Sequence, residues 1–212
     1  MQSVPHTAFR LAVLLLAAGQ GSRLGSYPKA LLKKNGQSLL KRFCSALATF
    51  APVECVVVTG FHADQIESEI QLIKKTSSFP ISMIRNLSSK EGQPTSVRLG
   101  LESLRSQYDV LLVALSDQPG VGVLEIQALL DGFEKKDHAS QIVLPIVSGK
   151  RGNPVAFSSS AVQAILATPD MVCRNYMDSY PEQVCLLETD LQGFILDVDT
   201  FDDIQREKLT LS

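Results

Sequence analysis

Residues 11–32, LAVLLLAAGQGSRLGSYPKALL, constrain the fold of this chain more than any other stretch. The apolar run 11–16 has the length of a strand and no polar face, as expected of a strand covered on both sides. It empties into a glycine-rich loop that carries Arg23 and Lys29. In α/β proteins such a loop presents backbone N–H groups and fixed positive charge to phosphates. Residues 1–53 hold no Asp or Glu, yet contain Arg10, Arg23, Lys29, Lys33, Lys34, Lys41 and Arg42. The whole chain nets −2, so residues 54–212 net about −9 by subtraction. An acid-free basic segment around a glycine loop reads as a polyanion site.

Two other phosphate-binding patterns fit the loop poorly. A dinucleotide fingerprint needs G-x-G-x-x-G, and here Gly19 and Gly21 are followed by Leu24, with Gly25 one residue late. That fold also wants an acid about twenty residues on for the ribose hydroxyls, and the first acid is Glu54. No G-K-[ST] follows the loop, so the Walker pattern fails as well. What remains is a loop for a nucleoside triphosphate with two cations six residues apart.

A chain of 212 residues with 45% hydrophobic and 20% charged residues suits one soluble domain with a sizeable core. Its slightly acidic balance argues against nucleic acid as a partner. Cys44, Cys55, Cys173 and Cys185 lack metal-ligand spacing and read as reduced packing residues. His6, His62 and His138 are scattered. Arg10 and the apolar residues after it resemble a secretory signal, but the run is short and leads directly into the loop. No run is long enough for a membrane helix.

Strand-like runs at 11–16, 53–59, 81–85, 110–115 and 142–145 alternate with helical patterns at 38–50, 64–75, 95–105 and 123–135. This alternation predicts a three-layer α/β fold: a mostly parallel sheet, helices on both faces, and a site at the carboxyl ends of the strands. Beyond 145 the pattern predicts a loop entering a short strand near 155, helices at 158–167 and near 170–179, apolar pieces at 184–187 and 194–198, and a closing helix near Phe201. We expect a single domain over 1–212. Its nucleotide-binding half covers about 8–120 and its acceptor half about 121–212.

Asp117 follows VLLVALS at the end of a buried strand, and Gln118-Pro119-Gly120 turns the chain. A carboxylate there can hold Mg²⁺ against phosphate oxygens; the other reading is a cap for the helix near Val123. In ILDVDTFDDI, Asp202 and Asp203 suit the first turn of a helix. Asp197 and Asp199 alternate on one side of an extended piece. Asp199 is the better second metal ligand, with an ordinary helix cap as the alternative. Gly92 and Pro94 shape a turn after the third strand, where Thr95 and Ser96 either read a base edge or cap a helix. Arg98 either reaches the site or covers the sheet. Lys150, Arg151 and Asn153 are either a solvated turn or a contact to an acceptor phosphate.

These motifs resemble the MobA-like nucleoside-triphosphate transferases, and among them the molybdenum cofactor cytidylyltransferases. The resemblance rests on LLLAAGQGSRLGSYPKALL, Asn86 with EGQPTSVRLGL, LSDQP, RGNPVAF and DVDTFDDI, in the expected order. It implies a Rossmann-like nucleotidyltransferase fold. Arg23, Lys29 and Asp117 would be catalytic, with Arg23 and Lys29 on the triphosphate and Mg²⁺ on Asp117 and Asp199. Ala17, Ala18, Gly19, Gly21, Ser22, Gly92, Thr95 and Ser96 would bind the nucleotide, and Ala17-Ala18-Gly19 matches the cytidylyl branch. Leu24 replaces a common methionine. Pro169-Asp170-Met171-Val172-Cys173-Arg174 keeps Asp170 and Arg174 of a G-D-x-G-x-R motif but neither glycine.

The expected enzyme is cytoplasmic and moves CMP from CTP to the terminal phosphate of molybdopterin, with a molybdoenzyme or its chaperone as a further partner. Three alternatives remain. One is the same chemistry with GTP or another phosphorylated acceptor. Another is a non-catalytic nucleotide or cofactor carrier, which the altered 169–174 segment permits. The third is a redox enzyme using a nicotinamide or flavin, which the glycine pattern disfavours.

Overall fold

A computed structural model describes residues 9–211 of the chain; His6 lies outside them. In chain order its elements are β1 (Leu11–Ala17), β2 (Lys33–Lys34), β3 (Gln37–Ser38), α1 (Leu39–Leu47), β4 (Glu54–Thr59), α2 (Ala63–Lys74), β5 (Ile81–Arg85), α3 (Gln93–Ser103), β6 (Val110–Leu115) and α4 (Val123–Lys135). They continue as β7 (Ile142–Val147), β8 (Lys150–Arg151), β9 (Val155–Ser158), α5 (Ser159–Ala167), α6 (Cys173–Ser179), β10 (Val184–Glu188) and α7 (Phe201–Arg206). The main sheet runs β10-β7-β9-β6-β1-β4-β5, with β8 paired to β7. β1 pairs in parallel with β4 on one side and β6 on the other. The antiparallel members are β9, between β6 and β7, and the short β8.

The continuous apolar character of β1 follows from its place. Leu11, Val13, Leu15 and Ala17 face one core cluster, built with α1, α2 and α4. Ala12, Leu14 and Leu16 face another, built with α3, α5 and α6. A strand between two helical layers has no solvent side, so period-2 alternation disappears. Gly100 of α3 lets that helix lie close to β1: a Cβ there would stand 2.3 Å from Leu14 Cδ1 and 2.9 Å from Val58 Cγ2. Burial also fixes the cysteines. Cys44, Cys55 and Cys173 are buried and unpaired, and desolvation pushes the Cys44 and Cys173 thiols up to about 12.

Three features depart from the pattern reading. The apolar piece 194–198 is not a strand but an extended loop after a short 3-10 turn at Gln192–Phe194. The Phe194 and Ile195 N–H groups bond within their own turn, and the Val198 N–H reaches the Asp117 carbonyl of another loop, instead of a neighbouring strand. α6 starts at Cys173, because Asp170 takes a left-handed backbone (φ 56°) that a helix cannot include. The β2–β3 hairpin went unread, although Asn35 and Gly36 (φ 53° and 76°) supply the two left-handed residues that a tight hairpin turn requires.

Ahead of β1 and β6, Arg10 and Asp109 clamp the two neighbouring strands together. The Asp109 carboxylate accepts from the Arg10 backbone N–H at 2.8 Å and from the guanidinium at 2.8 and 3.1 Å. These bonds hold the Asp109 carboxyl down to about 2. Its folded value lies below the ordinary 3.8, so its contribution is complete above that value and fades as pH falls towards 2. We therefore expect Asp109→Asn to lower the urea midpoint at pH 6, with the deficit shrinking between pH 4 and pH 2. An offset independent of pH would exclude this pair as its source.

Candidate active site

The parallel strands β1, β4, β5 and β6 end at one edge, and their following loops surround a cleft of about 400 Å³. Ala18, Gly19 and Gln20 come from the loop after β1, Phe61 from the one after β4, and Ser89 and Gly92 from the one after β5. Ser116 and Asp117 come from the loop after β6. Lys29 lies across from them, in a 3-10 turn at Lys29–Leu31. Of the residues singled out for the nucleotide, Ala17, Ala18, Gly19, Gly92 and Ser96 line this cleft. Gly21, Ser22 and Thr95 are not among its walls.

Gly21 shapes the loop instead. It has φ 66°, and a Cβ there would lie 2.1 Å from the Tyr27 carbonyl oxygen. Its carbonyl accepts from the N–H groups of Leu24 and Ser26, curling the loop back on itself. Thr95 Oγ1 donates inward, to the carbonyls of Gly92 and Ser88. Asn86 Nδ2 donates to both Thr95 Oγ1 and Ser96 Oγ at 2.8 Å. Asn86 thus secures the start of α3.

The charged centre joins residues far apart in sequence. Lys29 Nζ donates to Asp199 Oδ1 at 2.6 Å and to Asp117 Oδ2 at 3.1 Å. Arg23 Nη1 donates to Asp199 Oδ2 at 2.8 Å. A small apolar cluster brings them together: Leu24 and Leu32 from the first loop pack with Leu39, Val198, Ile204 and Leu209. Burial works against the charge on Lys29, but the attraction of Asp117 and the hydrogen bonds to both aspartates outweigh it. Its ammonium is held above the ordinary lysine range. The capping alternatives fall elsewhere. Thr200 caps α7 with Asp203, whose Oδ2 also accepts from the Asp199 N–H. Gly122 opens α4, its N–H bonded to Glu125.

Two further residues meet here that the sequence reading did not assign. Gln118 Nε2 donates to Asp197 Oδ1 at 2.9 Å and to the Phe194 carbonyl at 3.1 Å. Desolvation raises the Asp197 carboxyl above the usual carboxylate range, and Asp117 and Asp199 add to the effect. The available signal was their adjacency to Asp117 and Asp199.

A divalent cation fits the donor set. Asp117 and Asp199 converge on one point, the position of Lys29 Nζ, and carboxylate oxygens are the hard ligands that Mg²⁺ prefers. Among the described residues no three His, Cys, Asp or Glu side chains gather as a complete cage.

A second cleft, of about 210 Å³, adjoins the first through Leu16, Gln93 and Leu115. Val97, Val113, Leu144, Val155, Phe157 and Met177 make its walls mainly apolar, and Arg151, Asn153 and Arg174 add polar groups. Arg151 pairs with Asp178. Lys150 is not among the walls of this cleft. Arg98 reaches neither cleft's charged centre; its guanidinium donates to the carbonyls of Ile165, Leu166 and Thr168 at the end of α5. The Ile165 and Thr168 carbonyls also accept from the N–H groups of Thr168 and Met171, so the guanidinium adds to a loosely bonded helix end.

The chain belongs to the MobA-like NTP transferase domain family, whose model matches residues 13–182. It is therefore built as a nucleotidyltransferase. It is 28% identical over 198 residues to nicotine blue oxidoreductase of Paenarthrobacter nicotinovorans, covering 91% of this chain and 94% of that protein. It is 28% identical over 166 residues to 2-C-methyl-D-erythritol 4-phosphate cytidylyltransferase of Streptomyces coelicolor, covering 76% and 60%. Among solved structures, Rv0371c of Mycobacterium tuberculosis H37Rv superposes with a TM-score of 0.71 at 22% identity, over 93% of this chain and 97% of that one. A manganese complex of the same protein superposes with a TM-score of 0.64, at 18% identity and the same coverage. No helix among the described residues is long and apolar enough to cross a membrane.

Since Arg98 serves the end of α5, Arg98→Met should lower stability by about 1.5–3 kcal/mol, the worth of hydrogen bonds from a charged group. Urea unfolding reads that loss, and nucleotide affinity measured by calorimetry should stay within twofold of wild type. A large loss of affinity with unchanged stability would instead place Arg98 in the site.

Proposed function

We propose that this chain is a Mg²⁺-dependent cytidylyltransferase that moves CMP from CTP to the terminal phosphate of a pterin-type cofactor of the molybdopterin class. The observation that carries the reading is the Lys29 ammonium shared by Asp117 and Asp199 beside the glycine loop. This combination offers two cations to a triphosphate and two carboxylates to its metal. The family supports the reaction class. The Ala17-Ala18-Gly19 sequence and the cytidylyltransferase relative support CTP. The second cleft, where Arg151, Asn153 and Arg174 stand beside apolar walls, supports an adjoining place for a phosphorylated acceptor.

In this mechanism the nucleotide lies along the loop after β1, its base towards Gly92 and Ser96. An oxygen of the acceptor phosphate attacks the α-phosphorus, the bond from that phosphorus to the bridging oxygen breaks, and pyrophosphate leaves with the electron pair. No covalent link to the protein forms. Catalysis rests on positioning and on charge placed where it develops. Lys29 and Arg23 exchange their aspartate partners for phosphate oxygens and neutralise the leaving group. Mg²⁺ held by Asp117 and Asp199 would supply further neutralisation at the phosphates. Arg174, which lines the second cleft, is suited to the acceptor's phosphate.

Pyrophosphate release with Mg²⁺ and molybdopterin, offering CTP, GTP, ATP and UTP in parallel, tests the reading. Release with CTP alone supports it, release with GTP reassigns the base, and release with none overturns it. Lys29→Ala and Asp117→Ala should each lower the rate about 10²–10³-fold, the usual cost of losing one preorganised electrostatic contact. Their far-UV spectra should stay native. An unimpaired Asp117→Ala enzyme would remove Asp117 from the metal site.

The oxidoreductase relative, matched over 94% of its length, favours a second reading in which the same clefts bind a reducible ring compound. Consumption of NADH or NADPH with an aromatic acceptor, without pyrophosphate release, would establish it in place of transfer.

A further inference from the structure

Gln118 is 6% exposed, yet it sits in a loop at the edge of the site rather than in a core cluster. Both of its amide hydrogens are used on one target, the extended segment that carries Asp197 and Asp199. One goes to the Phe194 carbonyl and one to Asp197 Oδ1. Turning the amide over would set an oxygen against two acceptors, so the orientation is determined. Its Oε1 is buried and accepts from no group among the described residues.

The same segment is also held by the cations on Asp199, by the Asp199 N–H on Asp203 and by the burial of Val198. Residues 195–199 belong to no strand. The Val198 N–H donates to the Asp117 carbonyl at 3.2 Å, and the Asn153 N–H donates to the Phe194 carbonyl at 2.8 Å. Gly120 and Gly193 meet so closely that a Cβ on Gly193 would stand 2.5 Å from the Gly120 carbonyl oxygen. The loop that presents Asp117 therefore grips the Asp199 segment through its own backbone and through the next side chain. Asp197 lies between those grips, one residue from Val198 and two from Asp199.

We propose that Gln118, acting through Asp197, is a positioning residue that sets the spacing of Asp117 and Asp199 for a divalent cation. This rests on the metal-dependent reading above and adds residues to it. A carboxylate at 197 accepts strongly from the amide, and an asparagine there can still accept through its oxygen. The requirement is a donor at 118 facing an acceptor at 197. Groups behind metal ligands typically change metal affinity about 10–100-fold when lost, and that is the expected effect.

The test uses Mn²⁺ as a spin probe, titrated by electron paramagnetic resonance in the presence of CTP without acceptor, alongside steady-state kinetics with varied metal. Gln118→Leu and Gln118→Glu should weaken Mn²⁺ binding about 10–100-fold, with the rate at saturating metal recovering most of its wild-type value. Asp197→Asn should stay close to wild type. A purely structural role would lower thermal stability and the saturating rate but leave the metal dependence alone, and that result overturns the proposal. A wild-type protein that binds CTP yet removes no free Mn²⁺ signal beyond what CTP alone removes overturns both this proposal and the metal-dependent reading. Unchanged affinity in the Gln118 variants overturns this proposal alone.

Discussion

β1 lies inside the sheet and is covered by helices on both faces. It pairs with β4 on one side and β6 on the other, and its two faces belong to different core clusters. A strand enclosed in this way has one register and no freedom to slip, because a one-residue shift would exchange its whole set of side chains between layers. The glycine loop leaves from its last residue and inherits that rigidity. Gly21 and the buried Leu24 then curl the loop and pin it.

Electrostatics at the cleft follow from this placement. Two cations arrive from an acid-free segment and two carboxylates from the acidic remainder, so the site is nearly neutral overall but sharply divided by sign. Lys29 is largely buried between Asp117 and Asp199, and a buried charge is tolerated only when partners satisfy it. In the proposed reaction phosphate oxygens would take over the cations and a metal the carboxylates. The neighbouring apolar cleft has a different character, and the two share Leu16, Gln93 and Leu115 as a common wall. A reaction that joins a triphosphate to a less polar partner suits such a pair of compartments.

Local chemistry made much of this legible in advance. Strands buried on both faces announce themselves as apolar runs, and amphipathic helices as 3.6-residue patterns; α4 spans the residues expected of it. The failures share one cause. Phe194 to Val198 are apolar because Phe194 and Val198 fill core space beside loops, not because they pair in a sheet. Thr95 has the composition of a ligand contact, yet its hydroxyl is used within its own turn. Arg98 carries charge suitable for a phosphate and spends it on helix carbonyls 67–70 positions away. In each case residue type was read correctly and the partner was not.

Residue patterns alone dictate the layered α/β class, the strand ends at which the cleft opens, and the loop that carries Arg23 and Lys29. These follow from short-range patterns, where neighbours along the chain decide the outcome. Only the tertiary structure decided that Lys29 stands between Asp117 and Asp199, 88 and 170 positions distant, and that Gln118 holds Asp197. Those contacts depend on how a small apolar cluster and a close glycine pair dock the C-terminal segment against the first loop. Such docking is set by shape and burial across the whole molecule, which no local pattern encodes.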